Sequence, residues 1–578
     1  MIRISQLLVI CLTFSFLQAQ NKKDNFITVF ETSNGTETAT YHQTIQYYSD
    51  LANAFPQIQL QAIGKTDSGE PLHIVTFNSD AEFNFETIRK NKRVLLINNG
   101  IHPGESDGID ATMMLFRDMA QGKISAPKNT VLVTIPIYNV GGSLNRNTGT
   151  RANQNGPKAY GFRGNAQNFD LNRDFIKNDT ENARTFAQIF HLVKPDVFID
   201  NHVSNGADYQ YILTHLFTQH NKLGGELGSY LQNTIMPALE ADLQKKDWDI
   251  TPYVNVFNQV PEIGFSQFMD YSRYSTGYTA LWNVVGMMVE THMLKPYKSR
   301  VEGTYELMRS MIAITEKEGE RISTMRQAAF ESFKNQKMYP LDWEVDTTKY
   351  TTLNFKGFEG KMISSTVTGK ERLKYDREKP FEKPVAYQNY FKPTVDVAVP
   401  KAYIIPQGWH RVIDLLKLNG VQMNRFEKDT ILAVESYKIA DFETRKSPYE
   451  GHYQHYKTSV TASENNLLFR KGDYWISTNQ NAIRYLVETL EPQAPDSFFN
   501  WNFFDTILQK KEGFSPYVFE DTASELLESN SELKAEFEAK KQAETQFANN
   551  WYAQLNWLYE RSNNYEPAYM QYPVYRIK

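Results

Sequence analysis

Short apolar runs alternate with longer amphipathic stretches from residue 24 to residue 325. Uninterrupted apolar runs bounded by polar residues indicate buried strands, and apolar positions three and four residues apart indicate helices. The predicted strands span 93–98, 130–139, 196–202 and 286–292, and the predicted helices between them span 106–122 and 180–196. Strands that alternate with helices predict the α/β class, here with a mixed, largely parallel sheet and helices on both faces.

The pattern changes beyond residue 300. Residues 301–338 read as a charged helix that connects two regions, and a charged, proline-interrupted stretch between 340 and 400 reads as a linker or exposed loop. Strand and helix patterns then return, with a helical pattern from 529 to 561. The predicted division is a first domain at 24–325, a connector and linker at 326–395, and a smaller C-terminal accessory α+β region at 396–578.

The first 19 residues have the pattern of a secretory signal peptide. Arg3 supplies a positive charge, residues 7–17 are apolar except for two hydroxyl residues, and the small residue Ala19 follows. This run is too short to span a bilayer, and no later stretch is long and apolar enough to do so. We therefore expect a secreted or periplasmic protein with no stable membrane span in the mature chain.

Cysteine content and charge exclude several kinds of chemistry. The only cysteine, Cys11, lies inside the predicted signal peptide, so the mature chain would have neither disulfides nor cysteine nucleophiles. The net charge of the 578-residue chain is −5 and no basic block occurs, so nucleic-acid binding has no electrostatic support. Any metal site must therefore be built from histidine and carboxylate side chains.

Side chains of that kind follow three of the predicted strands. His102 and Glu105 follow the first strand, in the stretch "NNGIHPGES", His202 ends another, and Glu290 ends a third. Functional sites of α/β sheets form at the carboxyl ends of the strands. A lone His-x-x-Glu is usually a surface turn, but two histidines and one glutamate make a catalytic zinc set with an open fourth position. A second glutamate, Glu290, can then act as general base.

Four motifs in a fixed order strengthen this interpretation. "HPGE", "NFDLNRDF", "DNH" and "GMMVETH" together resemble the zinc metallocarboxypeptidase family, of carboxypeptidase A type, over roughly residues 40–300. The resemblance implies one Zn²⁺ ion held by His102, Glu105 and His202, with Glu290 as the base. It also implies hydrolysis of the C-terminal peptide bond of a peptide or protein that has a free C-terminal carboxylate.

Further roles are implied by the same resemblance. Asp170, in "DLNR", matches the carboxylate that orients the first histidine, and Asn172 and Arg173 match the pair that holds the substrate's terminal carboxylate. Arg151, twelve residues after Asn139, best matches the arginine that polarises the scissile carbonyl. Two other arginines, Arg146 and Arg163, are its rivals.

The chain departs from the family pattern at two places. "NVGG" at 139–142 replaces the more usual Asn-Pro-Asp-Gly, which weakens the alignment of Arg151. The mobile tyrosine of the family has several candidates before Glu290, and an arginine among them could also meet a substrate carboxylate: Tyr271, Tyr274, Tyr278 and Arg273. Asp270 is the one possible acidic selector of a basic side chain, so the side-chain preference stays open.

Other functions and other histidines complete the predictions. A zinc amidase acting on cell-wall peptides or acyl-amino acids is an alternative, and a non-catalytic binding module is a second.

His292 is a possible support of the metal set, whereas five other histidines read as structural or exposed: His191, His215, His220, His452 and His455. The aromatic-rich C-terminal tail is expected to pack against its helix rather than to stack on sugars.

Overall fold

The computed structural model describes residues 26–578. The predicted signal peptide at 1–19, with Cys11, lies outside the described residues and stays a prediction. Within the described part, no helix is both long and apolar enough to cross a membrane.

The N-terminal half contains nine strands and eleven helices among the described residues. The strands are β1 (Ile58–Lys65), β2 (Pro71–Phe77), β3 (Arg93–Asn98), β4 (Thr130–Ile135), β5 (Val197–Ser204), β6 (Leu213–Phe217), β7 (Ile250–Pro252), β8 (Phe265–Ser266) and β9 (Val285–His292). The helices are α1 (Val29–Thr32), α2 (Tyr41–Ala54), α3 (Phe85–Asn91), α4 (Asp107–Ala120), α5 (Val140–Leu144), α6 (Glu181–Val193), α7 (His220–Leu223), α8 (Gly225–Tyr230), α9 (Met236–Gln244), α10 (Ser275–Ala280) and α11 (Tyr297–Lys334).

A mixed eight-stranded sheet organises this half, in the order β1-β2-β4-β3-β5-β9-β6-β7. Its central strands β4, β3, β5 and β9 are parallel, whereas β1, β2 and the β6–β9 pairing add antiparallel contacts. The parallel register places the carboxyl ends of β3, β5 and β9 at one edge, with His202 directly opposite Glu290. The predicted fold class is confirmed.

Helices cover both faces of the sheet. Every residue of β4 and β5 is buried, which requires packing on both sides of each strand. Helix α11 packs along β3, β4 and β9, helix α6 packs against β1 and β2, and helix α10 packs against β5 and β9. The strands thus form a rigid frame for whatever stands at their ends.

The charged helix predicted at 301–338 is present in the structure. Helix α11 begins at Tyr297 and runs for 38 residues, and its Leu307 and Met308 are fully buried against the sheet. The helix is therefore also part of the core of the N-terminal half, which its many charged outer residues obscure in the sequence. Its role as a connector stays a prediction.

The C-terminal half contains ten strands and six helices among the described residues. The strands are β10 (Met338–Val345), β11 (Thr351–Ser364), β12 (Glu371–Gln388), β13 (Phe391–Ala398), β14 (Ala402–Ile405), β15 (Asn424–Arg425), β16 (Thr430–Thr444), β17 (His455–Phe469), β18 (Tyr474–Ser477) and β19 (Tyr575–Ile577). The helices are α12 (His410–Leu418), α13 (Ile483–Leu490), α14 (Pro516–Ser529), α15 (Ser531–Ala543), α16 (Thr545–Ala548) and α17 (Trp551–Tyr559).

The segment predicted as a linker or exposed loop is a long antiparallel hairpin of β11 and β12. Its Phe355, Val385 and Tyr387 pack into a second core with Tyr209 and Tyr211 of the N-terminal half. The loop prediction was wrong because the hairpin turns its charged residues to solvent. The register irregularity after Phe358, which pairs with a proline, shows how the strand accommodates proline. The domain division itself stays a prediction.

A six-stranded sheet, in the order β15-β18-β14-β19-β16-β17, forms the centre of the C-terminal half. Helices α14 to α17 pack on one another through Phe519, Phe537, Leu555 and Leu558. Of the aromatic residues in the C-terminal tail, Tyr559 is buried in this core, whereas Trp551 and Tyr552 are exposed, so the expected packing holds for only part of the tail. The turn that joins β16 to β17, residues 445–454, is hereafter the β16–β17 tip. It reaches back to the N-terminal half.

Candidate metal and catalytic site

The loop after β3 delivers two potential ligands at once. Pro103 and Gly104 turn the chain, the N–H of Glu105 donates to the carbonyl of His102 at 2.7 Å, and helix α4 begins directly afterwards. A Cβ on Gly104 would lie 2.5 Å from Cδ of Arg151, so glycine permits this close approach. Both His102 and Glu105 are almost fully buried.

His202 on β5 completes a compact set with these two residues. Nδ1 of His102 and Nδ1 of His202 each lie 3.2 Å from Oε2 of Glu105, and the three ligand atoms lie within 4.8 Å of one another. Two imidazole nitrogens and one carboxylate oxygen are a donor set that zinc accepts, with room for a further ligand. These three residues could therefore hold a metal ion.

Two aspartates fix the orientation of both imidazole rings. Nε2 of His102 lies 2.9 Å from Oδ1 of Asp170, and Nε2 of His202 lies 2.9 Å from Oδ2 of Asp200. A carboxylate only accepts, so these two contacts suit a proton on Nε2 of each ring. With Nε2 protonated, the Nδ1 lone pairs that face Glu105 would be available to a metal. Sequence reasoning anticipated Asp170 but missed Asp200, although its position two residues before His202 places both on one face of the strand.

Two arginines approach Glu105 from the other side. Nη2 of Arg151 lies 2.9 Å from Oε1 of Glu105, and Nη1 of Arg163 lies 3.5 Å from the same oxygen. Arg163 also pairs with Asp170 at 2.9 Å. Arg146, the third candidate, instead donates to backbone carbonyls, including that of Ala159 at 2.7 Å. Arg151 and Arg163 thus remain as the two cationic candidates.

These charges decide the protonation of the carboxylates. Burial favours the neutral acid for Asp170, but His102 and Arg163 outweigh it and hold the pKa of that carboxyl well below its usual range. For Glu105, burial is likewise outweighed by His102 and Arg151, and its pKa is low. Both groups are therefore anionic at neutral pH, as metal coordination and its support require.

Glu290 differs from these carboxylates. It lies two residues before the end of the apolar strand β9, directly across from His202. Burial raises its pKa to about 7, with His202 opposing and Glu105 adding to that shift. A carboxyl group that ionises near neutral pH can both accept and return a proton.

A short 3-10 turn (Leu171–Arg173) brings Asn172 and Arg173 to the same cleft. Oδ1 of Asp170 accepts the N–H of Asn172 at 2.9 Å, and the guanidinium of Arg173 lies 4.6 Å above the ring of Tyr274. The cleft has a volume of about 530 Å³. Its lining includes His102, Glu105, Arg151, Arg163, Asn172, Arg173, His202, Tyr274 and Glu290.

Two predicted substrate-binding residues do not reach the cleft. Arg273 forms an ion pair with Asp496 of the C-terminal half, with Nε 2.9 Å from Oδ1. Tyr278 is fully buried, and its hydroxyl donates to Asn419 at 2.6 Å. Both predictions were wrong, because the C-terminal half docks against this segment and takes these side chains as partners. Of the tyrosine candidates, only Tyr274 lines the cleft.

Three further candidates also lie elsewhere. Tyr271 donates to Asp342 at 2.8 Å, and Asp270 is fully buried, where its Oδ1 accepts the N–H of Gln219. His292 pairs with Asp208 at 3.2 Å rather than with the metal set. Three other histidines pair with carboxylates away from the cleft: His215 with Glu240, His452 with Asp179 and His455 with Asp505.

The protein is of the α/β class, and it has a potential metal centre formed by His102, Glu105 and His202 beside its mixed sheet. Residues 44–196 match the family model described as "Zinc carboxypeptidase". The resemblance indicated by the motifs is thereby confirmed.

Curated relatives carry a consistent name. The chain is 19% identical over 492 residues to "Carboxypeptidase 2" of Trichophyton rubrum, covering 81% of this chain and 84% of that protein. It is 30% identical over 101 residues to "Carboxypeptidase 2" of Trichophyton tonsurans, covering 17% of this chain and 18% of that protein.

Solved structures are more distant. A metallo-carboxypeptidase from Burkholderia cenocepacia is similar at 15% identity with a TM-score of 0.37, covering 49% of this chain and 70% of that one. Carboxypeptidase A from Helicoverpa armigera is similar at 14% identity with a TM-score of 0.35, covering 48% of this chain and 74% of that one.

Proposed function

We propose that this protein is a zinc-dependent metallocarboxypeptidase that hydrolyses the C-terminal peptide bond of peptides or proteins. The observation that carries the proposal is the gathering of His102, Glu105 and His202 with Glu290 and Arg173 around one cleft. The family match of residues 44–196 supports a hydrolase of the peptidase type.

The proposed metal ligands are His102, Glu105 and His202. Zinc held there would polarise the scissile carbonyl and lower the pKa of a nearby water molecule. Asp170 and Asp200 keep the two imidazoles in the tautomer that presents Nδ1.

Glu290 is the proposed general base. It takes the proton of the attacking water and returns it to the leaving amine, and its pKa of about 7 suits both steps. Its place in strand β9, paired with His202 of β5, holds the carboxylate at a constant position relative to His202.

Recognition of the substrate's end is assigned to Asn172 and Arg173. A guanidinium matches the planar terminal carboxylate, and the ring of Tyr274 supports the guanidinium of Arg173 from one face. Arg151 is proposed to stabilise the negative charge that develops on the scissile carbonyl oxygen, with Arg163 as the alternative.

The test is an assay of purified protein on a peptide mixture, with and without a chelator. We expect single residues to leave from C-termini, the activity to vanish with chelator, and zinc to restore it. The variant His202→Ala should lose most of its zinc and all turnover. Full zinc content in that variant would contradict the ligand set, and cleavage of acyl-amino acids or cell-wall peptides alone would favour the amidase instead.

We also propose that the protein acts outside the cytoplasm, on the evidence of the signal-peptide pattern predicted at 1–19. N-terminal sequencing of the mature protein from its natural source should begin close to residue 20. A mature chain that retains Met1 would contradict export by this signal.

A further inference from the structure

The β16–β17 tip touches the turn that carries the proposed substrate anchor. Oε2 of Glu450 accepts the backbone N–H of Asp170 at 2.8 Å. The next residue, Gly451, has a φ of +77°, and a Cβ there would lie 2.9 Å from the ring of Phe169. Glycine at this point therefore lets the tip approach the "FDLNR" segment closely enough for Glu450 to reach Asp170.

Other contacts hold the tip in place independently of Glu450. Nε2 of His452 lies 2.7 Å from Oδ2 of Asp179, and the same oxygen accepts Nζ of the fully buried Lys177 at 2.8 Å. The ring of Tyr449 is stacked on Trp501, with 5.9 Å between ring centroids. The loss of Glu450 alone should thus leave the tip docked.

Asp170 is the residue through which this contact reaches the site. Its Oδ1 lies 2.9 Å from Nε2 of His102 and accepts the N–H of Asn172 at 2.9 Å, while its Oδ2 pairs with Arg163. One carboxylate therefore orients a proposed metal ligand and a proposed substrate anchor together. The position of its backbone is set in part by Glu450, 280 residues further along the chain.

We propose that Glu450 is a positioning residue of the active site, which the C-terminal half contributes. The inference rests on the proposed function, because it assigns Glu450 an effect on the residues named there. Without an acceptor, the N–H of Asp170 loses its protein partner, and the turn from 170 to 173 is free to shift. A shift of that turn misplaces both the ring of His102 and the anchoring pair Asn172 and Arg173.

The test compares two substitutions with a matched control. Glu450→Ala removes the acceptor, whereas Glu450→Gln keeps a side-chain oxygen that can accept the same N–H. Glu443→Ala is the control, because Glu443 lies on the same hairpin in an exposed pair with Lys457 at 2.8 Å, away from the cleft. For each variant, Tm, zinc affinity by competition with a chelating dye, kcat and KM are measured.

We expect Glu450→Ala to weaken zinc binding and to raise KM about tenfold each, at the lower end of the effect of groups that orient metal ligands. Glu450→Gln should restore both values, and Glu443→Ala should leave them at wild-type levels. Tm should change little in all three variants, which separates misplacement of the site from general destabilisation.

Unchanged zinc affinity and KM in Glu450→Ala would overturn the inference, and so would equal losses in Glu443→Ala. A Glu450→Gln variant as impaired as Glu450→Ala would overturn the hydrogen-bond account. If the wild type cleaves no peptide, the proposed function fails, but the zinc affinities of the variants still decide the role of Glu450.

Discussion

At the level of single residues, the carboxylates around His102 and His202 determine how these two side chains are oriented. Sequence reasoning found His102, Glu105 and His202 because their residue types and their places after strands are visible along the chain. It missed Asp200 although the spacing of two residues to His202 was visible, and it misplaced Arg273 because its partner Asp496 is brought near only by packing. The assigned catalytic roles stay predictions, although the geometry brings most of the named residues to one cleft.

The contact between Asp200 and His202 gives the first prediction. Asp200→Asn removes the negative charge that fixes the proton on Nε2, so zinc affinity should fall about ten- to a hundredfold. A matched control is Asp208→Asn, which alters the same kind of pair at His292, outside the metal set. Equal zinc affinities of the two variants in dye competition would show that Asp200 does not support the site.

The role of Glu290 gives the second prediction. Glu290→Gln preserves size but removes the proton acceptor, so kcat should fall by about two to four orders of magnitude. Zinc content and Tm should stay normal, because Glu290 is not needed to complete the ligand set. Loss of zinc together with turnover would make Glu290 a ligand, and near-normal turnover would remove it from the chemistry.

The lining of the cleft gives a third prediction, on substrate preference. Tyr274 and Phe268 form the wall of the cleft near Arg173. Met288 and Leu216, which pair with each other on β9 and β6, also line the cleft. Among the described residues, the carboxylates that line this cleft are Glu290 and the proposed metal ligand Glu105, and Asp270 is buried outside it. No further carboxylate of the lining is thus left to bind a basic side chain of the substrate. Peptides ending in Phe or Leu should be cleaved with kcat/KM about tenfold or more above those ending in Lys or Arg. Preference for basic ends would refute this reading of the pocket.

At the element scale, prediction succeeded where apolar runs were continuous and failed where one face was charged. Strand β3 has the bounds predicted from the sequence, and helix α4 lies within its predicted range. Strand β4 ends at Ile135, four residues short of its prediction, because the chain turns there toward α5. Strand β12 was missed because its outward residues are charged and prolines interrupt it, so no strand period is visible.

Helix α6 carries a prediction about acid stability. Burial lowers the pKa of His191 to about 4, while its ring packs 4.9 Å from that of Trp282. In the unfolded chain the imidazole of His191 is protonated below about pH 6.5, whereas in the folded chain it is protonated only near pH 4. The stabilising contribution is therefore complete above pH 6.5 and is lost as the pH falls.

The size of this loss can be measured by urea unfolding at pH 7 and pH 5. At pH 5, protonation of the unfolded state at His191 should cost about 2 kcal/mol of unfolding free energy. His191→Gln cannot bind the proton, so its two unfolding free energies should differ by about 2 kcal/mol less than those of the wild type. An identical pH dependence in the variant would show that His191 does not titrate as described.

At the scale of the whole molecule, the C-terminal half is part of the support of the N-terminal sheet. Arg484 donates to the carbonyls of Ala280 and Lys222 at 2.9 and 2.7 Å, and the rings of Tyr485 and Trp282 lie 5.3 Å apart. Together with the Arg273–Asp496 ion pair, these contacts could not be read from the sequence, because they join positions some 200 residues apart.

This dependence predicts the behaviour of a truncated chain. A fragment that ends after residue 335 would expose Tyr278 and Trp282 and leave Lys177 and Arg273 without their C-terminal partners. We expect it to lack a cooperative thermal transition by circular dichroism, unlike the full chain. A cooperative transition with full activity would mean that the N-terminal half folds and works alone.

Our main proposal is that the protein hydrolyses the last peptide bond of peptides that have a free C-terminal carboxylate. The most direct measurement compares one peptide that ends in phenylalanine with the same peptide amidated at its C-terminus, with products identified by mass spectrometry. We expect release of the last residue from the free form and a sharp loss of cleavage for the amidated form, because Asn172 and Arg173 have no carboxylate to bind there. Equal cleavage of both forms, or cleavage at internal bonds, would contradict it.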